Sequence, residues 1–116
     1  MTYTLRVRWA RPGLELTGLD EDGRIQLYEG LTIGRSRLCD LHVPAIIGGR
    51  TSYSLAQAPE GWRLRHGGHI GRFRHNDGPP LNDDALLRPG DTFTLLDCAD
   101  PEAPVVTIEL ERGLDP

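Results

Sequence analysis

Apolar and polar residues alternate with a period of two at both ends of the chain. Tyr3, Leu5, Val7 and Trp9 fall on one side of the opening segment, with Thr4, Arg6 and Arg8 on the other. In Val105–Glu111, Val106, Ile108 and Leu110 alternate with Thr107, Glu109 and Glu111. Successive side chains of a strand point to opposite faces, so each pattern predicts a half-buried strand. Between them, Leu14–Leu19 and Arg24–Tyr28 read as two short strands joined across Asp22-Gly23, a dipeptide suited to a turn needing positive φ. Leu31–Gly34, Leu41–Val43, Tyr53–Ala56, Trp62–His66 and Thr92–Leu96 read as further strands, and Phe73 as part of another. The Tyr53–Ala56 and Trp62–His66 pair reads as a hairpin over Pro59-Glu60-Gly61.

Turn residues punctuate these segments at Arg11-Pro12-Gly13, Pro44, Asn76-Asp77-Gly78-Pro79-Pro80 and Pro89-Gly90-Asp91. Ala45–Thr51 and His66–Gly71 are too rich in glycine for a regular element and read as loops. No stretch sustains a 3.6-residue apolar period. Asp83–Leu87 is the one candidate for a helical turn, and it is too short to hold a helix. Many short strands between Gly, Pro and Asp turns predict an all-β protein, a two-sheet antiparallel sandwich with little or no helix. The predicted core is Tyr3, Leu5, Val7, Ile33, Leu41, Leu55, Trp62, Leu64, Phe93, Leu95, Val106 and Ile108.

Size and composition narrow the class. A chain of 116 residues supports one domain, assigned to 1–112, with 113–116 as a frayed tail or the start of a linker. Mixed charges at 26% of residues argue against disorder. No apolar run approaches a membrane span and no leader-like stretch follows Met1, so no membrane insertion is expected. Cys39 and Cys98 fit a reduced, cytoplasmic protein better than a disulfide scaffold.

The net charge of −4 hides an asymmetry. Residues 42–76 carry Arg50, Arg63, Arg65, Arg72 and Arg74 against Glu60, whereas 77–116 are strongly acidic. Overall acidity argues against a general nucleic-acid binder, which needs a broad basic surface.

The stretch with the most chemistry is Leu31–Asp40, where Gly34 leads into Arg35 and Ser36. A glycine gives the backbone freedom to turn, and the arginine offers a forked, permanently charged donor for phosphate or carboxylate. Taken with Cys39-Asp40-Leu41, Gly61-Trp62-Arg63-Leu64, Gly71, and Leu87-Arg88-Pro89-Gly90-Asp91 followed by Phe93 and Leu95, it resembles the forkhead-associated (FHA) domain. That family is a β-sandwich binding phosphothreonine peptides through loops at one end. The resemblance implies that the first and last strands are neighbours, so Glu109 and Glu111 complement Arg6 and Arg8. It also implies that the loops after Gly34, around Gly48–Ser52 and around His66–Arg72 gather at one end.

Carried over residue by residue, the resemblance puts Arg35 at the phosphate-contacting arginine, with Ser36 after it. The family's second-loop Ser-Arg-x-His falls on Gly49-Arg50-Thr51-Ser52 or, shifted by one, on Gly48-Gly49-Arg50-Thr51, and Thr51 or Ser52 offers a hydroxyl nearby. The family's third-loop Ser-x-Asn-Gly-Thr falls on Gly68-His69-Ile70-Gly71-Arg72, where only the glycine is kept. Arg50, His69 and Arg72 are alternative anion donors on the same rim.

Other chemistry is weaker. His66, His69 and His75 lie close in sequence with His42 apart, but neither cysteine is spaced to complete a zinc site, and loop histidines at most give a pH-sensitive rim. No phosphate loop, dinucleotide fingerprint or nucleophile elbow is present, and no catalytic residue or cofactor is assigned. Trp62-Arg63-x-Arg65 and Arg72-Phe73-Arg74 interleave aromatics with arginines, as single-strand binders do, although alternation would equally bury the aromatics.

The expected function is non-catalytic docking of a protein partner through the apical loops, with a degenerate phosphothreonine site formed by Arg35, Ser36, Arg50, Thr51, Ser52, His69 and Arg72. A functional phosphothreonine-peptide site using Arg35 is the alternative. A nucleic-acid-binding sandwich using Arg63, Arg65, Arg72 and Arg74 is the third.

Overall fold

The computed structural model describes residues 2–45, 47–49, 51–67 and 70–113. Along them run β1 (Tyr3–Ala10), β2 (Arg24–Gln26), β3 (Thr32–Gly34), β4 (Leu41–His42), β5 (Tyr53–Ala58), β6 (Gly61–His66), β7 (Phe73–His75), β8 (Pro80–Leu81), β9 (Ala85–Leu87), β10 (Thr92–Leu96) and β11 (Pro104–Arg112). One sheet has the order β2-β1-β11-β10-β7-β8 and the other β4-β3-β5-β6-β9. No described residue is helical. The pairings are antiparallel except β3 with β4, which is parallel.

The terminal strands pair from Tyr3↔Arg112 to Ala10↔Val106. Arg8 meets Glu109 at 2.6 Å, and Arg6 and Arg24 meet Glu111 at 3.7 and 2.9 Å. These pairs are solvent-screened, so each serves register more than stability. The ladder continues past Arg112, since the Gly113 amide donates to Thr2 O at 2.7 Å; the rest of the predicted tail, 114–116, lies outside the described residues.

Ten of the predicted core residues are buried between the sheets, and Tyr3 and Val7 pack against them. Tyr53 and Phe73 meet edge to face at 5.7 Å in the same core. Trp9 departs from the alternation. A register shift between Val7 and Trp9 breaks the period of two, leaving the indole 43% exposed.

Two predicted elements are corrected. Leu14–Leu19 is not a strand of a hairpin; it is a strap joined to β4 by one bridge, Thr17↔His42. The Asp20 carboxylate accepts the amides of Asp22 and Arg24, both at 2.9 Å, and this turn delivers β2 to β1 instead. Asp83–Leu87 contains no helical turn. Its second half is β9, which covers the free edge of β6 and buries Ala85 and Leu87. The burial of those two small and branched side chains outweighs a helical turn with no apolar stripe. The hairpin β5–β6 forms over a shorter loop than expected, with Ala58 opposite Gly61.

Asp91 closes its own turn. Its carboxylate accepts the Arg88 amide at 3.0 Å and meets His75 Nε2 at 3.0 Å, while its amide donates to Arg88 O. Burial disfavours the charge, but these bonds, with one from Asn76, outweigh it and hold the carboxyl below its usual range. Glu111 is held low chiefly by the hydrogen bond from Arg24, against some burial. Each lowered pKa is stability that is fully present above the unfolded-state value of about 4. It is lost as pH falls through the lower folded value. Urea midpoints should therefore be level near neutrality and fall as the pH drops below about 5. Asp91→Asn should shift the neutral midpoint down and make the acid decline shallower; an unchanged acid slope would rule out this role for Asp91.

Candidate functional site

Three loops meet at one end of the sandwich. The first, 35–40, leaves β3 at Gly34, which is still in strand conformation and does not use positive φ. The loop is shaped from within by Ser36, whose carbonyl accepts the Cys39 amide at 3.1 Å and whose hydroxyl accepts the Leu38 amide at 3.2 Å. Asp40 clamps its base: the carboxylate accepts Thr32 N at 2.9 Å and Thr32 Oγ1 at 3.0 Å. Burial works against that charge, but the hydrogen bonds from Tyr28 and Thr32 prevail and keep the carboxyl below its usual range. Cys39-Asp40-Leu41 is thus a structural signature, with Asp40 as the tie and Leu41 in the core.

The second loop touches the first through Cys39 Sγ and Thr51 Oγ1, 3.8 Å apart. It touches the third more closely. Gly71 has φ +92°, and a Cβ there would lie 2.2 Å from Ile47 O. The Gly67 amide donates to Ser52 O at 2.6 Å, and His66 Nε2 lies 2.9 Å from Gly71 O. Beyond the third loop, Leu96 N donates to Arg72 O at 3.0 Å. Arg72 and Gly71 share a cavity of about 250 Å³ with Asp97, Cys98 and Pro101.

Arg35 is exposed at the rim and Ser36 half-buried beside it. Thr51 is exposed, whereas Ser52 is 1% exposed with its hydroxyl donated to Gly49 O at 2.8 Å. Thr51, on the same loop, is the hydroxyl residue left exposed. Arg72 is exposed; Arg50 and His69 lie outside the described residues. Arg35 and Arg72 flank Cys98 from two loops. Burial and Asp97 push that thiol's pKa up, while the Arg35 charge pulls against them.

The remaining candidates are dispersed. Arg63 and Arg65 project from β6, in one sheet, and Arg74 lies on β7, in the other, paired with Glu102 at 3.6 Å. Trp62 and Phe73 are buried. His75 is tied to Asp91 and His42 stands on β4, and no metal-binding cluster occurs among the described residues. Cys39 and Cys98 are not joined in a disulfide.

Sequence reasoning did not single out Arg37, which lines a cavity of about 450 Å³ with Arg35, Ser36, His42 and Pro44. Its signal was available as Arg35-x-Arg37 on one short loop. Cys98 and Asp97 join the rim from the β10–β11 connection, with no local signal.

No protein-family model and no curated protein matches the sequence. Solved structures do match the fold. The FHA domain of the CT664 protein from Chlamydia trachomatis superposes with a TM-score of 0.68 at 12% identity, covering 98% of this chain and 100% of that one. An FhaA FHA domain complexed with the intracellular domain of Rv3910 gives 0.64 at 18% identity, covering 94% and 99%. A structure from work on phosphothreonine-dependent FHA domain interactions gives 0.67 at 17% identity, covering 99% and 100%. The chain has an FHA-type fold.

Within this FHA-type sandwich, the glycine kept from the third-loop pattern is the one that lets two loops touch. Gly71→Ala should destabilise the fold by more than about 1 kcal/mol, because alanine is strained at that φ and meets Ile47 O. Urea unfolding checks it. Tyr53 presents the opposite case. Its hydroxyl is buried without a hydrogen-bond partner among the described residues, and burial, helped by Cys98, raises its pKa. Tyr53→Phe should leave stability unchanged or raise it by up to about 1–3 kcal/mol, the cost of an orphaned polar group. A loss of stability would show that the hydroxyl has a partner.

Proposed function

We propose that the chain is a non-catalytic protein-interaction module that docks a partner through its three apical loops, with a degenerate phosphothreonine site. The observation that carries this is how the arginines are partitioned. Arg6, Arg8, Arg11, Arg24, Arg74 and Arg88 are ion-paired along the sheets and turns. Arg35, Arg37 and Arg72, on the rim, make no ion pair among the described residues, and neither do Arg63 and Arg65 on β6; what sets the rim apart is that its unpaired charges come from two adjoining loops. A charge left unpaired beside an unpaired neighbour is poised for an anion supplied from outside. Two of the largest exposed apolar side chains, Leu38 at 95% and Ile70 at 65%, stand on two of the same loops. They add apolar contact to that charge, a combination typical of protein interfaces.

The hydrogen-bonding inventory supports the reading of a degenerate site. Ser52 has donated its hydroxyl inward, and Ile70 has no side-chain donor. A second reading, standard phosphothreonine recognition, is favoured by the exposed Arg35 and Thr51 on two loops that touch through Cys39. Nucleic-acid stacking has less support, because the interleaved aromatics are interior.

Calorimetry of a phosphothreonine peptide library against its unphosphorylated twin separates the two readings. Docking by a degenerate site predicts similar binding of both, weakened roughly tenfold by Arg35→Ala, the value of one charge-assisted hydrogen bond. Binding abolished by dephosphorylation as well as by Arg35→Ala would establish the second reading instead.

A further inference from the structure

The rim cavity at Arg35 does not end at the loops. Arg37, His42 and Pro44 line it together with a second cavity of about 480 Å³, whose far wall is Glu15, Thr17 and Gly18 of the strap. The two share those three residues, so they form one trough running down the flank of the first loop, away from the third. The strap is held against this flank by close backbone approach. Gly18 has φ +109°, and a Cβ there would lie 2.0 Å from Asp40 O. The Thr17–His42 bridge fixes the floor, with amide-to-carbonyl distances of 2.8 and 3.1 Å.

Charge is divided along the trough. Arg35 stands at the apical end, Glu15 at the other, and Arg37 lines both cavities between them, all exposed and without an ion-pair partner among the described residues. Asp40 also lines the lower part, but its carboxylate is spent on Thr32 and Tyr28. The open charges are therefore cationic at the top and anionic at the bottom.

We infer that the trough takes an extended segment of a partner protein with unmodified carboxylates at one end and a basic side chain at the other. The carboxylates meet Arg35 and Arg37, and the basic side chain meets Glu15. An extended chain presents side chains at about 3.3 Å per residue, so separated charges can reach both ends of a surface channel where a single anion cannot. This inference rests on the docking function proposed above and names the chemistry of the partner.

Fluorescence anisotropy with the full chain tests it, using a synthetic peptide with a run of glutamates and a run of lysines separated by a Pro-Ala spacer, in both orders. The comparison probes are an all-glutamate peptide and a copy with phosphothreonine in place of one glutamate. One order of the bipartite peptide should bind roughly three- to fivefold more tightly than the all-glutamate peptide, the increment of one exposed ion pair. Glu15→Gln should erase that preference and Glu15→Lys reverse it, while Arg37→Ala weakens both peptides. Equal binding of bipartite and all-glutamate peptides, still sensitive to Arg35→Ala, overturns the trough and leaves apical docking standing. No binding by any probe counts against both. Phosphothreonine binding more than about tenfold tighter than glutamate overturns the assignment to unmodified carboxylates.

Discussion

Everything at the apical end depends on backbone meeting backbone where no side chain fits. Gly71 lies against Ile47 O, and Gly18 lies against Asp40 O, each at a distance that a Cβ would violate by more than 1 Å. The first approach joins the second and third loops; the second pins the strap to the base of the first loop. Asp40 then closes that base through Thr32. These contacts add to the core packing of Val43 and Ile47 beneath the rim. They also explain how the rim keeps its form while its side chains differ from those of the family it resembles.

The arginines show the same division between scaffold and surface. Along β1, β2 and β11 they are consumed by Glu109 and Glu111, and at the turns by Asp97, Glu102 and Glu60. Asp97, Glu102, Glu109 and Glu111 of the acidic C-terminal third are therefore counter-charges of the scaffold. That leaves a net-acidic protein with a locally cationic rim, which composition alone hides. Local potential, more than net charge, steers a partner.

The fold was largely legible because period-two alternation and turn residues are local signals. Val106–Leu110 and Thr92–Leu96 could be read directly, and the core list followed from them. Misreadings arose where a distant partner decided the outcome. Leu14–Leu19 alternates well enough for a strand, but Asp20 turns β2 toward β1 and leaves the strap with one bridge. Ala85–Leu87 looked like a turn because the open edge of β6, some twenty residues earlier, is invisible locally. Of the site, Arg35 and Gly71 carried a recognisable pattern. Ser52 did not betray that its hydroxyl turns inward, since this depends on Gly49 O in the folded loop. Arg37 was overlooked because its importance comes from His42 and Pro44 across a cavity, not from its neighbours in sequence.

Energetics then constrain how such a rim can work. A charge-assisted hydrogen bond contributes about 1.5–3 kcal/mol, whereas a micromolar complex requires about 8 kcal/mol. Arg35 acting alone falls below even the roughly 4 kcal/mol of a millimolar complex. On the proposed reading, with the Ser52 hydroxyl committed to Gly49 and Ile70 offering no side-chain donor, one point anion finds fewer donors here than the family pattern supplies. The missing energy has to come from extended contact. The exposed Leu38 and Ile70 and the trough beside the first loop are where this surface can supply it. On the proposed reading, such a module distinguishes partners by the arrangement of charge and apolar side chains along a segment, more than by a single modified residue.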